Sequence, residues 1–273
     1  FSEKFNLALL SRGYKRSTTG YIKASSESSP KSIGDEPYQI LKKFKNIQVS
    51  VDEKRVRGVK NLILENNNLD AIVLDDCFQH RSISLGLNIL LTTYKEPFFN
   101  DCILPSGNLR EPLNAYKRAD IIIVTKCPDN LQESEMQDFY NSINLLKDQS
   151  LFFSSISYNS TLFGTSNIQI EELNKSRVLL VTAISNSSPL IEFLNNNDIE
   201  FDHMKFSDHH NYSSKDISRI ENEFEDTIVV TTEKDYRKIK NLNLNNKLFY
   251  LKIKTKFLRN EKAFKSLILD AIT

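Results

Sequence analysis

The sequence predicts an α/β protein built as two successive α/β layers, and three observations carry that prediction. Short apolar runs alternate with amphipathic stretches, the pattern of βα units around a mostly parallel sheet. The run Ala71-Ile72-Val73-Leu74 ends in Asp75-Asp76-Cys77-Phe78-Gln79-His80, a buried strand delivering paired carboxylates, an amide and an imidazole to one sheet edge. A polar stretch, 158–176, interrupts the periodicity and divides the chain into two series.

In the first series the apolar runs predict strands at 7–10, 47–51, 71–74, 88–92, 121–125 and 151–157, with helices at 37–44, 53–65, 112–116 and 133–146. The second series predicts strands at 178–182, 201–205, 227–231 and 248–253, with helices at 189–194, 215–223 and 261–270. These place one lobe at 1–157 and a smaller one at 158–273. The β-prone segments 151–157 and 248–253 are expected to pair antiparallel as a two-stranded hinge.

Composition narrows the class. The 273 residues are 40% hydrophobic, enough for real cores, and 36 Lys and Arg nearly cancel 35 Asp and Glu, so nothing in the total points to nucleic acid. Cys77, Cys102 and Cys127 form no Cys-x-x-Cys pair, which argues against a zinc knuckle or disulfide framework and fits a reducing cytoplasm. No apolar stretch approaches the roughly 20 residues of a spanning helix, and no signal peptide is evident. The chain opens on Phe1 and leads straight into a strand, which suggests a fragment or processed product.

Several constellations suit chemistry. In open α/β sheets ligands gather at strand carboxyl ends, so Asp75 and Asp76 read as Mg²⁺ ligands that bridge phosphate oxygens; a solvated turn is the bland alternative. Gly34-Asp35-Glu36-Pro37 opens a helix with Pro37 suited to the first helical position, and its acids either complement the helix dipole or supply a general base. Phe206-Ser207-Asp208-His209-His210 carries two of the four histidines, with His203 upstream. A single catalytic imidazole is favoured there over a metal site of His203, His209 and His210, because zinc needs convergent ligands that such a run seldom supplies. Arg12, Lys15, Arg16, Arg55 and Arg57 are phosphate binders or solvated faces. Leu104 to Pro112 reads as a rigid loop with Arg110 and Glu111 at its mouth, and Thr232 to Asp235 as a helix cap. None of the seven glycines precedes a lysine, so the Gly-x-x-x-x-Gly-Lys phosphate loop does not occur in these residues.

Taken together, the segments Leu10 to Tyr14, Gly34 to Pro37, Asp75 to His80, Leu104 to Leu113, Lys117 to Asp120, Asp208-His209 and Thr232 to Asp235 resemble the tetraacyldisaccharide 4'-kinases, the lipid A 4'-kinases of Gram-negative bacteria, in order and approximate spacing. The resemblance implies a P-loop NTPase-like α/β/α lobe joined by a two-stranded hinge to a smaller α/β/α lobe. It implies transfer of the ATP γ-phosphoryl, with Mg²⁺, to the 4'-hydroxyl of a tetraacylated glucosamine disaccharide 1-phosphate. By the same resemblance Asp35 and His209 act as base and orienter and Asp75 and Asp76 hold the metal. Arg12, Arg55, Gln79, His80, Arg110 and Glu111 serve the substrates. The partner is then the lipid A disaccharide precursor at the cytoplasmic face of the inner membrane, with peripheral attachment and no nucleic-acid or protein partner.

Two departures follow from that resemblance. Cys77 stands where the family usually has Gly, and would be strained if that backbone needs a positive φ. The family's membrane-associating helix and its phosphate loop would precede Phe1, so this chain alone is expected to transfer no phosphate. The rivals are a nucleotide-binding module without chemistry and a metal-binding protein using the histidine cluster.

Overall fold

The structure, a computed structural model, describes residues 1–242, 244 and 247–273. The chain forms two compact units, Phe1–Ser155 with Lys256–Thr273, and Ile156–Thr255.

The first unit opens with β1 (Leu7–Ser11), the short β2 (Ile22–Lys23), α1 (Pro30–Ile33), α2 (Asp35–Lys43), β3 (Ile47–Val51), α3 (Arg55–Glu65) and β4 (Ala71–Leu74). The sheet order is β2-β3-β1-β4. β3 and β4 run parallel on either side of β1, with Leu7 opposite both Ile47 and Ala71. Every residue of β1 is buried, as a central parallel strand covered on both faces should be. Ala8 and Leu10 pack on Leu62 of α3 and on Val59 and Ile72. β5 (Ile89–Thr93), β6 (Ile121–Thr125) and the start of β7 (Ser150–Gly164) lie side by side in parallel in a separate sheet, with α4 (Glu133–Ile143) between β6 and β7. Period-two alternation splits β6 between two cores. Ile122 and Val124 face Met136, Phe139 and Ile143 of α4, while Ile121 and Ile123 join Phe152, Phe264 and Ile268.

The second unit holds the rest of β7, then β8 (Asn167–Gln169), β9 (Val178–Thr182), α5 (Ser188–Asn195), β10 (Phe201–Lys205), α6 (Ser214–Glu223), β11 (Ile228–Thr232), α7 (Glu233–Ile239) and β12 (Leu248–Phe257). β10, β9, β11 and β12 are parallel neighbours. β9 is buried throughout: Val178 and Leu180 pack on Leu190 and Leu194 of α5, and Leu179 and Val181 on Ile217 and Ile220 of α6. α8 (Glu261–Ile272) ends the chain in the first unit.

Four expectations need correction. The stretch 158–176 is no linker. β7 runs on through Gly164, β8 pairs back on it, and a 3-10 turn at Ile170–Lys175 follows, with Leu162, Ile170 and Leu173 buried in the core. Its polar residues hid one buried side chain in every few. The C-terminal segment, expected with the second lobe, belongs to the first unit because Phe264 packs edge-on against Phe152 at 5.4 Å. α2 begins at Asp35 rather than Pro37, and 112–116 proves to be a 3-10 turn, Leu113–Arg118.

β7 and β12 are neighbours, as the expected hinge requires. Leu258 N–H donates to Phe153 C=O, Ser157 Oγ to Lys254 C=O, and Leu248 approaches Gly164. The numbers rise on one strand as they fall on the other, so the pair is antiparallel. The register differs from expectation: 248–253 lies opposite the second half of β7 rather than opposite 151–157.

Candidate functional site

The carboxyl ends of β1, β3 and β4 are laced together before any functional side chain is considered. Asp52 N–H donates to Ser11 C=O at 2.9 Å, and Asp75 N–H to Leu10 C=O at 3.0 Å. Arg55, 2% exposed at the start of α3, donates to Asp52 C=O at 2.7 Å and to Asp75 C=O at 2.9 Å. One buried guanidinium thereby fixes the exits of the two strands that flank β1. Charge-assisted bonds of this kind are about twice as strong as neutral ones.

On this edge stand the paired acids. Ser11 Oγ donates to Asp75 Oδ2 at 3.0 Å, and Asp75 is otherwise exposed. Asp76 accepts from one Arg110 nitrogen through both carboxylate oxygens, at 3.0 and 2.8 Å, and from Gln79 at 3.4 Å. Burial pushes the Asp76 carboxyl up, but the Arg110 hydrogen bond and charge outweigh it and hold it below the usual range. His80 is pushed down, first by burial and then by the charge of Arg55, with Arg12 and Arg110 adding and Asp76 opposing. Glu111 accepts from Arg118 at 2.6 Å, and Arg118 also donates to Phe78 C=O and covers the Phe78 ring. Arg12, Arg55, Asp75, Asp76, Gln79, His80, Arg110 and Glu111 therefore gather on one edge. A cleft of about 490 Å³ beside them is lined by residues including Cys77, His80, Ser82 and Arg118.

The strain anticipated at Cys77 falls one residue earlier. Asp76 has φ of 46°, and Cys77 is buried with its thiol pushed up, chiefly by burial. Asp and Asn tolerate the left-handed region better than most residues, so the carboxylate that faces Arg110 also carries the turn.

Asp35 is placed by a meeting of two glycines. Gly13 (φ 71°) follows Arg12, and Gly34 (φ 95°) precedes Asp35. A Cβ on Gly34 would lie 3.1 Å from Gly13 Cα, so the two loops touch backbone to backbone. That contact seats Asp35 at the start of α2, beside the loop that leaves β1. Behind this loop Glu53 accepts from Arg16, Arg57 and Gly20 N–H. Its own backbone N–H leads these bonds in holding its carboxyl at about 2.

In the second unit the three histidines part company. His203 Nε2 lies 2.9 Å from Thr182 Oγ1, and His210 pairs with Asp216 at 3.2 Å while stacking on Phe206. His209, with φ of 62°, lies against Lys234 Nζ at 3.3 Å. Among the described residues no group of three His, Cys, Asp or Glu could hold a metal, which removes the site of His203, His209 and His210 as a rival. Thr232 caps α7 as expected, accepting from Asp235 N–H. Reading that segment as a cap alone missed Lys234; its adjacency to the cap gave no local signal of a histidine partner.

A parallel sheet whose exits carry paired acids under a set of arginines defines a protein of the P-loop kinase-like α/β class. The chain belongs to the tetraacyldisaccharide-1-P 4'-kinase (LpxK) family, whose model matches residues 2–273. It is 38% identical to the tetraacyldisaccharide 4'-kinase of Flavobacterium johnsoniae over 272 residues, 99% of this chain and 79% of that protein. It is 41% identical to that of Bacteroides fragilis over 246 residues, 85% of this chain and 65% of the relative. Among solved structures it resembles LpxK from Aquifex aeolicus in complex with ATP, at a TM-score of 0.75 and 28% identity, covering 99% of this chain and 80% of that one.

Proposed function

We propose that the protein is a lipid kinase that moves the γ-phosphoryl of ATP to the 4'-hydroxyl of a tetraacylated glucosamine disaccharide 1-phosphate, a step of lipid A biosynthesis. The observation that carries this reading is the strand-end cluster of Asp75, Asp76, Arg12, Arg55 and Arg110, in a chain that matches the kinase family from residue 2 to its end.

The cluster suits a polyanionic substrate. Phosphoryl transfer asks the protein for position and charge more than for covalent chemistry. Arg110 and Arg12 supply permanent positive charge, while buried Arg55 keeps the strand exits in place. A bound Mg²⁺ would neutralise charge developing on the transferred group. Asp75 and Asp76 fit such an ion: Mg²⁺ takes one or two carboxylates and completes its shell with water and phosphate oxygens, and Asp75 Oδ1 faces no protein donor among the described residues. Asp35 serves as base toward the sugar hydroxyl, and His209 is the second catalytic group of this reading. Gln79, His80 and Glu111 line the substrates' approach.

A lipid acceptor supports peripheral attachment at the cytoplasmic face of the inner membrane. Exposed Ile103, Leu104 and Leu113 flank the Arg110-Glu111 pair in sequence and supply apolar surface beside it. No helix of the described residues is long and apolar enough to span a bilayer.

The test uses purified full-length protein, γ-labelled ATP and the disaccharide lipid, with Asp35→Ala, His209→Ala and the double variant. A positioned base contributes roughly 10²- to 10⁴-fold, and members of one catalytic unit lose activity non-additively. The double variant should therefore fall little below the worse single one. Absence of label transfer by the wild type would overturn the kinase reading in favour of a binding module. Wild-type kcat in both single variants would return Asp35 to a helix-start acid and His209 to a surface imidazole.

A further inference from the structure

We propose that the C-terminal end of α2, from Tyr38 to Lys45, is the surface through which the first unit docks on an anionic lipid bilayer. The inference deepens the lipid-kinase reading and rests on it for the identity of the partner.

Charge is spread unevenly along a chain whose net charge is only +1. Residues 12–45 carry eight Lys and Arg against three Asp and Glu. Three of these cations are engaged inside the unit: Arg12 bears on His80, Arg16 pairs with Glu53 at 2.6 Å, and Lys23 pairs with Glu65 at 3.5 Å. The other five are Lys15, Lys31, Lys42, Lys43 and Lys45. The last three gather at the end of α2 and the turn that follows it.

Aromatic rings stand among these lysines. Lys42 Nζ lies 5.1 Å from the centroid of Tyr38, one turn back along the helix, and Lys43 Nζ lies 5.7 Å from that of Phe44. Phe44 closes the helix, its N–H donating to Ile40 C=O at 2.9 Å, and its ring is left 39% exposed with exposed Lys43 and Lys45 on either side in sequence.

Lysines in the last turn complement the helix dipole, which accounts for Lys42 and Lys43. It does not account for Lys45, beyond the helix, or for an exposed phenyl ring. The bilayer interface accounts for all of them: ammonium groups meet lipid phosphates, lysine stems lie along apolar surface, and aromatic rings sit at headgroup level. Nucleic acid fits less well, because bases stack on open ring faces and these rings carry lysines over theirs.

The same helix links this surface to the proposed base. Asp35 opens α2 and Lys43 closes it, about 12 Å apart at 1.5 Å per residue. A bilayer met at the far end of this helix lies no more than about that distance from Asp35, within reach of an acceptor whose acyl chains stay in the membrane.

The experiment compares full-length wild type with the triple variant Lys42→Gln, Lys43→Gln, Lys45→Gln. Flotation measures affinity for vesicles of phosphatidylcholine alone or with phosphatidylglycerol added. A lysine near an anionic surface contributes roughly fivefold, so the triple variant should bind the phosphatidylglycerol vesicles roughly 10- to 100-fold more weakly. Added salt should shrink the difference. Turnover should fall when the acceptor is presented in those vesicles, and kcat should be kept when it is dispersed in neutral detergent. Equal vesicle affinity of the two proteins would overturn the inference. Capture of a DNA duplex in preference to vesicles, lost in the triple variant, would assign the surface to nucleic acid and overturn it as well. Should the triple variant unfold, Phe44→Trp carries the test, since none of the 273 residues is tryptophan. Its added emission should shift to the blue on phosphatidylglycerol vesicles and be quenched by brominated lipid, and emission unchanged by vesicles would overturn the docking surface. Failure of the kinase reading looks different: no label would move in either medium, while flotation still reported the lysines.

Discussion

The strand exits of the first unit and the His209 loop of the second solve the same problem, holding charged groups at the carboxyl edge of a sheet, in opposite ways. At the first edge a buried cation ties backbone carbonyls together, and the acids stand outside it, Asp76 against an exposed Arg110. In the second unit a buried acid does the tying, through a hydroxyl and a peptide N–H, and imidazoles stand outside it, His209 near Lys234 and Asp208 and His210 near Asp216. The first edge presents charges that stay fixed at neutral pH, suited to binding phosphates. The second presents groups whose ordinary pKa lies near neutrality, suited to handling protons.

The sharpest way to break the comparison is to remove each anchor. Arg55→Met should cost about 3–5 kcal/mol, because two charge-assisted bonds are lost and two carbonyls, that of Asp52 buried and that of Asp75 partly buried, are left without their donor. Urea unfolding of the first unit is the measurement, and a loss below about 1 kcal/mol would show that the strand exits hold themselves. Asp235→Ala should cost less, about 2–4 kcal/mol, since it strands neutral donors, Thr232 Oγ1 and Ala183 N–H. Tyr212 adds a check on this site, because burial first and the Asp235 charge second push its phenol up. Its titration should move down in Asp235→Ala, and no movement would deny that the two groups interact.

Next in size is Gly34→Ala. Its backbone, φ 95° and ψ 157°, is one that glycine alone adopts readily, and the added Cβ would press on Gly13 Cα at 3.1 Å and Tyr14 C=O at 3.2 Å. A cost of about 1–3 kcal/mol is expected. Because the contact seats Asp35, kcat should fall by more than Tm suggests. Equal behaviour of Gly34→Ala and a surface Gly86→Ala, where nothing lies within 4 Å of the new Cβ, would show that the seat is not rigid.

These anchors also mark the limit of what the sequence discloses. Apolar runs revealed β1, β3, β4, β6 and β9 to within about a residue: β1, β6 and β9, buried along nearly their whole length, carry an uninterrupted hydrophobic signal, and β4 keeps a short apolar run although Val73 is exposed. The strand-end acids were legible for the same reason: the run stops and Asp75 begins. The far half of β7 was not, since 158–164 is polar except where Leu162 turns inward, and half-exposed strands lose their pattern when the outer face is serine and asparagine. Ownership of α8 depends on Phe152 and Phe264 finding each other across more than a hundred residues, and no local pattern encodes that. Arg55 looked like a phosphate ligand and proves to be a strap as well, and Lys234 looked like a cap residue. Both additions share one cause: sequence shows which residues carry charge, but not which of them lie against a backbone carbonyl or a ring nitrogen.

The smallest expected effect tests the electrostatics of the first edge. His80 sits below its ordinary value of 6.5 because burial disfavours the imidazolium and Arg55, Arg12 and Arg110 repel it, with Asp76 alone pulling the other way. Arg110→Ala removes one repelling charge and releases the Asp76 carboxylate from its partner, and both changes favour the imidazolium. The His80 midpoint should rise toward 6.5, while Asp76→Asn should lower it. Both shifts should be small, since Arg110 and Asp76 are 59% and 56% exposed and solvent and salt screen them. The stability consequence has a definite sign. A histidine whose folded pKa is depressed lets the unfolded chain bind the proton first, so stability is full above 6.5 and falls as pH drops below it toward the folded value. Arg110→Ala should make that fall shallower and Asp76→Asn deeper. Proton NMR titration of His80 at low and high salt, beside unfolding between pH 5 and 7.5, measures both. Movement of the two variants in the same direction would mean that the His80 shift comes from burial alone, and that the arginines of the first edge act on phosphate without setting the charge of their own neighbour.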